Sequence, residues 1–322
     1  MCFSDFVSVH ATQDACLAAL TARRWPRGFV CPRCAHVGGY PLGGRRGFEC
    51  GGCHRQTSVT SGTALAFTKL PLPKVFIAMY LIAANKQGIS GSSLALHIGC
   101  SEPTAWHLLH KLRHAMLERD AAYHLTGLIE VDESYVGGLA AGTTHGARST
   151  IKKTPVIALV ESRGDNLTGY VYLRPVRAVG AKVLHAVIAS RAEPGSTIRT
   201  DGWKGYCGLD QIGFAHRPEN SLGRHRALAQ FKLVHRQFSN LKSWLLGTHR
   251  NTCRRHLDLY TAEFNWRTNR RDRYADGKSD HREQTTADRI LSTVTAASHW
   301  TWKAIRKHRW KRDPLPRKLV AA

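Results

Sequence analysis

The stretch Leu128–Gly138 reads LIEVDESYVGG, a β-like run that carries Asp132 and opens into a glycine turn. A second stretch, Ser196–Trp203, reads STIRTDGW and carries Asp201 at the end of its own β-like run. Carboxylates at strand ends far apart in sequence can converge on one metal site in an α/β fold. The two stretches therefore predict an α/β domain with a site built on Asp132 and Asp201.

The charge balance indicates the kind of partner. Lysine and arginine number 47 against 23 acidic residues in 322, a formal net charge of +24. Such an excess favours nucleic acid as partner, although a basic protein with a solvated surface is the alternative. No apolar run approaches the ~20 residues of a membrane span. Asp5 and Asp14 in a first segment without a basic start argue against a signal peptide, so we expect a cytoplasmic protein.

Four of the nine cysteines are paired by spacing, as Cys31-Pro32-Arg33-Cys34 and Cys50-Gly51-Gly52-Cys53 with fifteen residues between. Two such knuckles predict a tetrahedral four-cysteine zinc site. Four thiolates leave no open coordination position, so the zinc is expected to be structural. The nearby arginines either contact phosphates or form a solvated face; they are Arg33, Arg45, Arg46 and Arg55.

Residues 69–118 read as three helices, at about 73–85, 90–98 and 101–119. Their short turns suggest a helix-turn-helix whose third helix meets a DNA groove. The polar residues predicted to face the groove are Thr104, His107, His110, Lys111, Arg113 and His114. The alternative is an ordinary packing unit between the ribbon and the catalytic domain.

From Gly127 the pattern changes to strands, at 154–161, 169–174 and 196–200, with helices at 181–190, 228–246 and 253–268. After about 275 the chain is polar and basic, with eight lysines or arginines in 303–318. That tail either binds DNA and folds on binding or is a solvated tail.

Several motifs together resemble a known family. They are the CPRC and CGGC knuckles, VDESYVGG, TDGWKGY, HRPEN, SNLKSWLLGTH and HLDLYTAEFNWRTNRR, and they span roughly residues 15–272. The chain resembles transposases of bacterial insertion sequences, specifically the fifteen-ninety-five family. The resemblance implies a zinc ribbon and an RNase H-like DDE-type domain, with a mixed five-stranded sheet and helices.

The resemblance also implies a third site residue, seven positions before a motif lysine. Here the lysine is Lys242 and the earlier residue is His235, a histidine where the family has glutamate. The implied catalytic set is therefore Asp132, Asp201, His235 and Lys242. Imidazole is softer than carboxylate, which favours manganese relative to magnesium. Glu263, seven residues before Arg270, is the alternative third acid, and Glu133 is a weaker one because its side chain should point to the opposite strand face.

Further roles follow from the same resemblance. Lys242 is expected to contact a DNA phosphate, and Arg267, Arg270 and Arg271 are expected to extend a basic surface. Trp244 is expected in the core. The divisions predicted are ribbon with N-terminal helix (1–68), helical module (69–120), catalytic domain (121–275) and basic tail (276–322).

The activity implied is metal-dependent cleavage of the element's ends and joining to target DNA, with Mg²⁺ or Mn²⁺ as cofactor and a homo-oligomer on two DNA ends. A bacterial, nucleoid-associated location is expected. Two alternatives stay open: a catalytically decayed DNA-binding protein, and an RNase H-type nuclease without strand transfer.

Overall fold

The computed structural model describes residues 2–43, 46–85, 87–137, 153–164, 166–219, 231–249, 252, 254–270 and 286–308. The chain divides into two compact units. One comprises Met1–Arg119 with Asp272–Lys307, and the other comprises Asp120–Arg271 with His308–Ala322. The four-part division predicted from sequence stays a prediction. Among the described helices, none combines the length and the apolar character needed to cross a bilayer.

The first unit begins with two helices and a small antiparallel sheet. Helix α1 is Phe3–Val9 and α2 is Gln13–Arg24; strands β1, β2 and β3 are Gly39–Pro41, Gly47–Cys50 and Gln56–Ser58, in that order across the sheet. Helix α2 begins at Gln13 because the Thr12 hydroxyl accepts a hydrogen bond from the Ala15 N–H at 3.2 Å. Aromatic rings of Trp25, Phe29 and Phe48 pack beside the cysteines.

Three helices follow in the predicted order: α3 at Leu72–Ala84, α4 at Gly91–Ile98 and α5 at Glu102–Asp120. Ser90 caps α4 by accepting from the Ser93 N–H at 3.1 Å. Gly99 ends α4 in the left-handed region, at φ +59, which allows the sharp turn into α5.

The described part of the C-terminal segment is folded. Helix α9, Thr286–Ala296, packs on α2 and α3, and α10 is Trp302–Lys307. The buried side chains of Ile290, Leu291 and Val294 explain why: an apolar stripe at helical spacing is hidden among the polar residues of this segment. Residues 309–318 of the predicted basic tail lie outside the described residues.

Much of the polar face of α5 is buried, contrary to the prediction from the sequence. His110, Lys111 and Arg113 were expected to face a DNA groove, yet they are 0%, 3% and 1% exposed. His114 stacks on Trp300, with ring centroids 4.1 Å apart. Trp302 contacts His107, and Lys111 donates to the Ala66 carbonyl. Helical spacing alone could not reveal contacts supplied from so far away in the chain.

The second unit is built on the mixed five-stranded sheet that was predicted. Its strands are β4 (Leu128–Val136), β5 (Thr154–Ser162), β6 (Thr168–Pro175), β7 (Thr197–Thr200) and β8 (Ala215–Pro218), in the order β6-β5-β4-β7-β8. Strand β5 is antiparallel to β4 and β6, while β4, β7 and β8 are parallel.

Helices cover both faces of this sheet. They are α6 (Ala181–Ala189), α7 (Lys232–Trp244) and α8 (Leu257–Asn269). Ile129 and Val131 of β4 pack in one core with α6, whereas Val136 packs in the other core with α7 and α8. Trp244, 7% exposed, belongs to this second core, as predicted.

Helix α8 packs along β6, the edge strand farthest from β7 and β8. The Asn265 side-chain amide donates to the Leu173 carbonyl and accepts from the Leu173 N–H, both at 2.9 Å. Asn269 makes the same pair of contacts with Val171. These amides satisfy the unpaired backbone groups of an edge strand and fix α8 there.

Candidate active site

The side chains of β4 alternate between two environments. Asp132 faces His235 of α7, and Ser134 accepts a hydrogen bond from Lys242 of α7 at 2.7 Å. Glu133 turns to the opposite face, where its Oε2 accepts from the Tyr206 hydroxyl at 2.6 Å. This is the orientation expected from the period of two along a strand, and it places Glu133 on the face opposite His235.

Helix α7 presents two of the predicted site residues on one face. His235 and Lys242 are separated by seven residues, about two helical turns. The His235 Nδ1 lies 3.8 Å from Asp132 Oδ2, too far for a hydrogen bond. The helix therefore brings the imidazole and the ammonium to the part of β4 that carries Asp132 and Ser134.

Asp201 follows β7 directly. The register pairs Glu130 with Arg199, so continuing it by two residues sets Asp132 beside Asp201. The Asp201 Oδ1 accepts from the Trp203 N–H at 3.0 Å, which holds the carboxylate at the start of the turn. Adjacent parallel strands thus set the two aspartates side by side. Asp201 directly follows β7, as expected, but Asp132 lies in the middle of β4, so the strand-end prediction was wrong for Asp132 because β4 continues to Val136 in its pairing with β5.

The three carboxylates repel one another. Burial, together with the charges of Glu133 and Asp201, raises the pKa of Asp132 to about 7, although the Glu133 N–H and Lys242 act to lower it. Burial and the charge of Asp201 also raise the pKa of Glu133. For His235, burial and then the Lys242 ammonium lower the pKa, so its imidazole is neutral at pH 7.

This donor set fits a hard divalent cation. Carboxylate oxygens are the preferred ligands of Mg²⁺, and a cation would offset the burial and the repulsion that raise the pKa of Asp132. Neutral imidazole is also a competent ligand. Among the described residues, however, only the four cysteines form a group of three or more potential metal-binding side chains whose ligand atoms all lie within 4.8 Å of one another. Asp132, Asp201 and His235 are neighbours that do not meet so closely.

The cysteine cluster has the dimensions of a structural zinc site. The Sγ atoms of Cys31 and Cys53 lie 3.7 Å apart, and those of Cys34 and Cys50 lie 3.6 Å apart. Zn–S bonds of ~2.3 Å in a tetrahedron require S–S separations of about 3.8 Å. Backbone N–H groups of Gly52 and Cys53 point at the Cys50 sulfur, at 3.3 and 3.4 Å, and would stabilise thiolate charge.

Glu263, the alternative third acid, lies elsewhere. It is 0% exposed and accepts from Arg267 at 3.4 Å, on the helix that packs along β6. Arg267 is itself 7% exposed, so the prediction that it contributes to a basic surface is wrong. Its partner is the buried acid one helical turn earlier. Arg270 pairs with Asp120 at 2.7 Å, and Arg271 lies outside the described residues.

Glu130 is a site-supporting residue that the sequence analysis missed. Only 3% exposed, it accepts hydrogen bonds from the backbone N–H groups of Leu233 and Val234, both at 3.1 Å. Arg199 approaches Glu130 at 3.4 Å and binds Glu219 through two nitrogens at 2.7 and 2.6 Å. A glutamate at an inward position of a buried strand was the available signal, because a buried charge requires partners.

Comparisons with known proteins agree with this architecture. A family described as "ISXO2-like transposase domain" matches residues 124–269, and one described as "Transposase zinc-ribbon domain" matches residues 11–56. A zinc ribbon with a transposase domain on a mixed five-stranded sheet defines a transposase class. The chain belongs to the insertion-sequence transposase family that these two domains describe.

A relative and a solved structure are also similar to this chain. An uncharacterized protein in transposable element ISH50 of Halobacterium salinarum is 29% identical over 205 residues, 58% of this chain and 67% of that protein. The Mos1 transposase, in a paired-end complex with the left transposon end, is 11% identical over 60% of this chain and 75% of that one. The TM-score between the two structures is 0.23.

Proposed function

We propose that this transposase cleaves the ends of an insertion sequence and joins them to target DNA by divalent-metal-dependent phosphoryl transfer. The observation that carries the proposal is the position of Asp132. It lies 3.8 Å from His235 and within electrostatic reach of Asp201, Glu133 and Lys242. Such a concentration of perturbed groups is typical of a functional site.

Asp132 and Asp201 would hold the catalytic cations, Mg²⁺ or Mn²⁺, and His235 would complete the set. When bound, such ions would activate the attacking oxygen and stabilise charge on the leaving oxygen. Replacing a carboxylate by the neutral His235 removes one negative charge, which is expected to weaken Mg²⁺ binding relative to Mn²⁺.

The reaction consists of two displacements at phosphorus. In the first, a water oxygen bonds to the phosphorus at the element's end, and the bond to the 3′ oxygen breaks. The freed 3′ oxygen takes up a proton, and the proton that the water loses passes to solvent. In the alternative in which His235 does not bind a cation, its neutral imidazole would accept that proton. In the second, the new 3′-hydroxyl oxygen bonds to a target phosphorus, and the target's own 3′ oxygen leaves and is protonated. No covalent protein–DNA bond is required.

Lys242 would bind a DNA phosphate beside these reacting groups. Its ammonium donates to Ser134, which holds the charge next to Asp132. The ribbon and the helical module would recognise the terminal inverted repeats, and two chains would hold two DNA ends. These assignments rest on the family resemblance together with the net charge of +24.

A strand-transfer assay tests the proposal. Its substrates are duplexes from either side of this chain's gene, carrying the short inverted repeats, with Mg²⁺ or Mn²⁺ added. We expect joined products from the unaltered protein, and DNA binding without joining from Asp132→Asn and Asp201→Asn. Asp210→Asn, at an exposed position of the same unit, is the matched control and should retain joining.

Two outcomes would contradict the proposal. Binding without cleavage or joining in either metal would identify a decayed DNA-binding protein. Hydrolysis without joining would identify a nuclease of the RNase H type.

A further inference from the structure

A cavity of about 430 Å³ lies within the first unit. Its walls come from the segment after the ribbon, from the first three turns of α5 and from the start of α10. They include Phe67, Lys69, Thr104, His107, Lys111 and Trp302. The volume is in the range of about 300–1,000 Å³ typical of small-ligand sites. None of the residues assigned to cleavage or zinc lines it.

Two aromatic side chains at the cavity are unusually exposed. Phe67 is 78% exposed and Trp302 is 41% exposed. Phe67 is also held at φ +58, a left-handed conformation that a bulky side chain rarely adopts. Backbone strain and an exposed ring together are typical of a ligand-contacting position.

The cavity is also cationic. Lys111 is 3% exposed, and its ammonium donates to the Ala66 carbonyl at 2.5 Å, its one hydrogen-bond partner among the described residues. Two ammonium hydrogens therefore remain for a ligand. Lys69 adds a second, exposed positive charge. Thr104 lies in the first turn of α5, where the helix dipole favours an anion.

His107 adds an unsatisfied polar atom. Its Nε2 is buried without a hydrogen-bond partner among the described residues, while its ring contacts Trp302 edge-on at 4.8 Å. Burial and the charge of Lys111 lower the pKa of His107 to about 4, so the ring is neutral. A neutral imidazole offers one donor and one acceptor, suited to the polar edge of a base.

We propose that this cavity binds one unpaired nucleotide of a DNA strand, with the base against Phe67 and Trp302 and the phosphate at Lys69, Lys111 and the start of α5. Exposed aromatic faces beside cations are the combination with which proteins hold single-stranded DNA. A base must leave the duplex before it can occupy such a space. The inference rests on the proposed function, because it assumes that the substrate is DNA.

Binding of 2-aminopurine DNA to the full-length, zinc-loaded protein tests the inference. The probe is a short oligothymidylate strand with a single 2-aminopurine, whose emission falls when the base stacks on an aromatic ring. We expect quenching with the unaltered protein, with Phe67→Ala and Trp302→Ala each losing the quenching and about tenfold in affinity for the strand. Trp302→Phe retains a stacking ring and should keep the quenching.

Tyr40→Ala is the matched control, because Tyr40 is a 71% exposed aromatic of the same unit outside the cavity. It should leave the quenching unchanged. The same probe paired in a duplex should not be quenched. Thermal unfolding of each variant should match the unaltered protein, which excludes loss of fold as the cause.

Three results would overturn the inference. They are no quenching of the single strand by the unaltered protein, quenching by Phe67→Ala and Trp302→Ala as strong as that by the unaltered protein, or quenching only of the free 2-aminopurine nucleotide. The last result would identify a site for free nucleotides. If the unaltered protein joins strands but does not quench the probe, this inference fails and the proposed function stands. If the unaltered protein quenches the probe and both variants do not, yet no protein joins strands, the proposed function fails and this inference stands.

Discussion

The Glu130 Oε2 accepts a hydrogen bond from the Val234 N–H at 3.1 Å, which ties the strand carrying Asp132 to the helix carrying His235. Glu130 lies two residues before Asp132, and Val234 lies immediately before His235. The same carboxylate contacts Arg199 on β7, two residues before Asp201. One buried side chain thus connects the three elements that bring the predicted catalytic residues together.

Glu130→Ala should destabilise the protein and impair joining. It leaves two helix N–H groups and the Arg199 charge without this partner, at a cost of about 2–4 kcal/mol. Urea unfolding measures the loss of stability. Glu130→Gln keeps an acceptor for the helix and should recover part of both properties. Glu193→Ala, which removes an exposed contact with His124, should have little effect. An unchanged unfolding midpoint in Glu130→Ala would refute the role of this contact.

His235→Glu should lower the Mg²⁺ concentration needed for joining. The substitution adds a carboxylate 3.8 Å from Asp132 if the new side chain takes the imidazole's place, and hard cations bind carboxylate better than imidazole. We expect about a tenfold shift for Mg²⁺ and a smaller one for Mn²⁺. His235→Ala should reduce joining in both metals. If His235→Ala joined DNA as well as the unaltered protein, His235 would not be the third site residue.

The raised pKa of Asp132 makes stability depend on pH. Its pKa is about 7 in the folded protein against 3.8 ordinarily, so folding favours the protonated carboxyl. That stabilisation is complete below the ordinary pKa and is lost as the pH rises through about 7. Asp132→Asn cannot ionise. Its stability relative to the unaltered protein should grow by on the order of 2 kcal/mol from pH 5 to pH 8.

The measurement is urea unfolding at both pH values without added divalent cations and without chelator, so that zinc stays bound. Adding Mg²⁺ at pH 8 should stabilise the unaltered protein and not Asp132→Asn. A stability difference that is the same at both pH values would show that Asp132 is not perturbed.

Lys242→Gln should weaken DNA binding equally for all sequences and reduce the slope of log affinity against log salt by about one. Its ammonium donates to Ser134 beside Asp132, where we propose that a phosphate binds. Lys232→Gln, at an exposed lysine on the same helix, controls for the loss of a positive charge. If the two variants had equal salt slopes, the prediction that Lys242 binds a DNA phosphate at this site would be wrong.

Cys50→Ser should abolish zinc binding and unfold the ribbon. Cys50 is 0% exposed and its sulfur receives two backbone N–H groups. A serine hydroxyl replaces a thiolate ligand with a much weaker one for zinc, and ribbons of this kind fold with their metal. Zinc content after purification, together with limited proteolysis of the segment around residues 30–58, provides the measurement. Cys2→Ser, at an exposed cysteine, should bind zinc normally. Full zinc content in Cys50→Ser would contradict the four-cysteine assignment.

Local patterns in the sequence were sufficient for much of the fold. The cysteine spacing predicted the cluster, and the β-like runs ending near Asp132 and Asp201 predicted two strands of one sheet. The strand β8 was missed because four residues, Ala215–Pro218, are too few for a periodic signal. Helix α9 was missed because its apolar stripe is surrounded by polar residues.

The amino-acid sequence by itself determined which chemical groups are present and which local elements carry them: four cysteines at zinc spacing, one aspartate on each of two β-like runs, and a histidine seven residues before a lysine. Spacing along one element is a local property, and it survives folding. Only the tertiary structure decided which distant elements meet. It placed His235 beside Asp132, packed the helix that carries Glu263 along β6, and buried Lys111 against residue 66, because packing acts between residues that the sequence holds far apart.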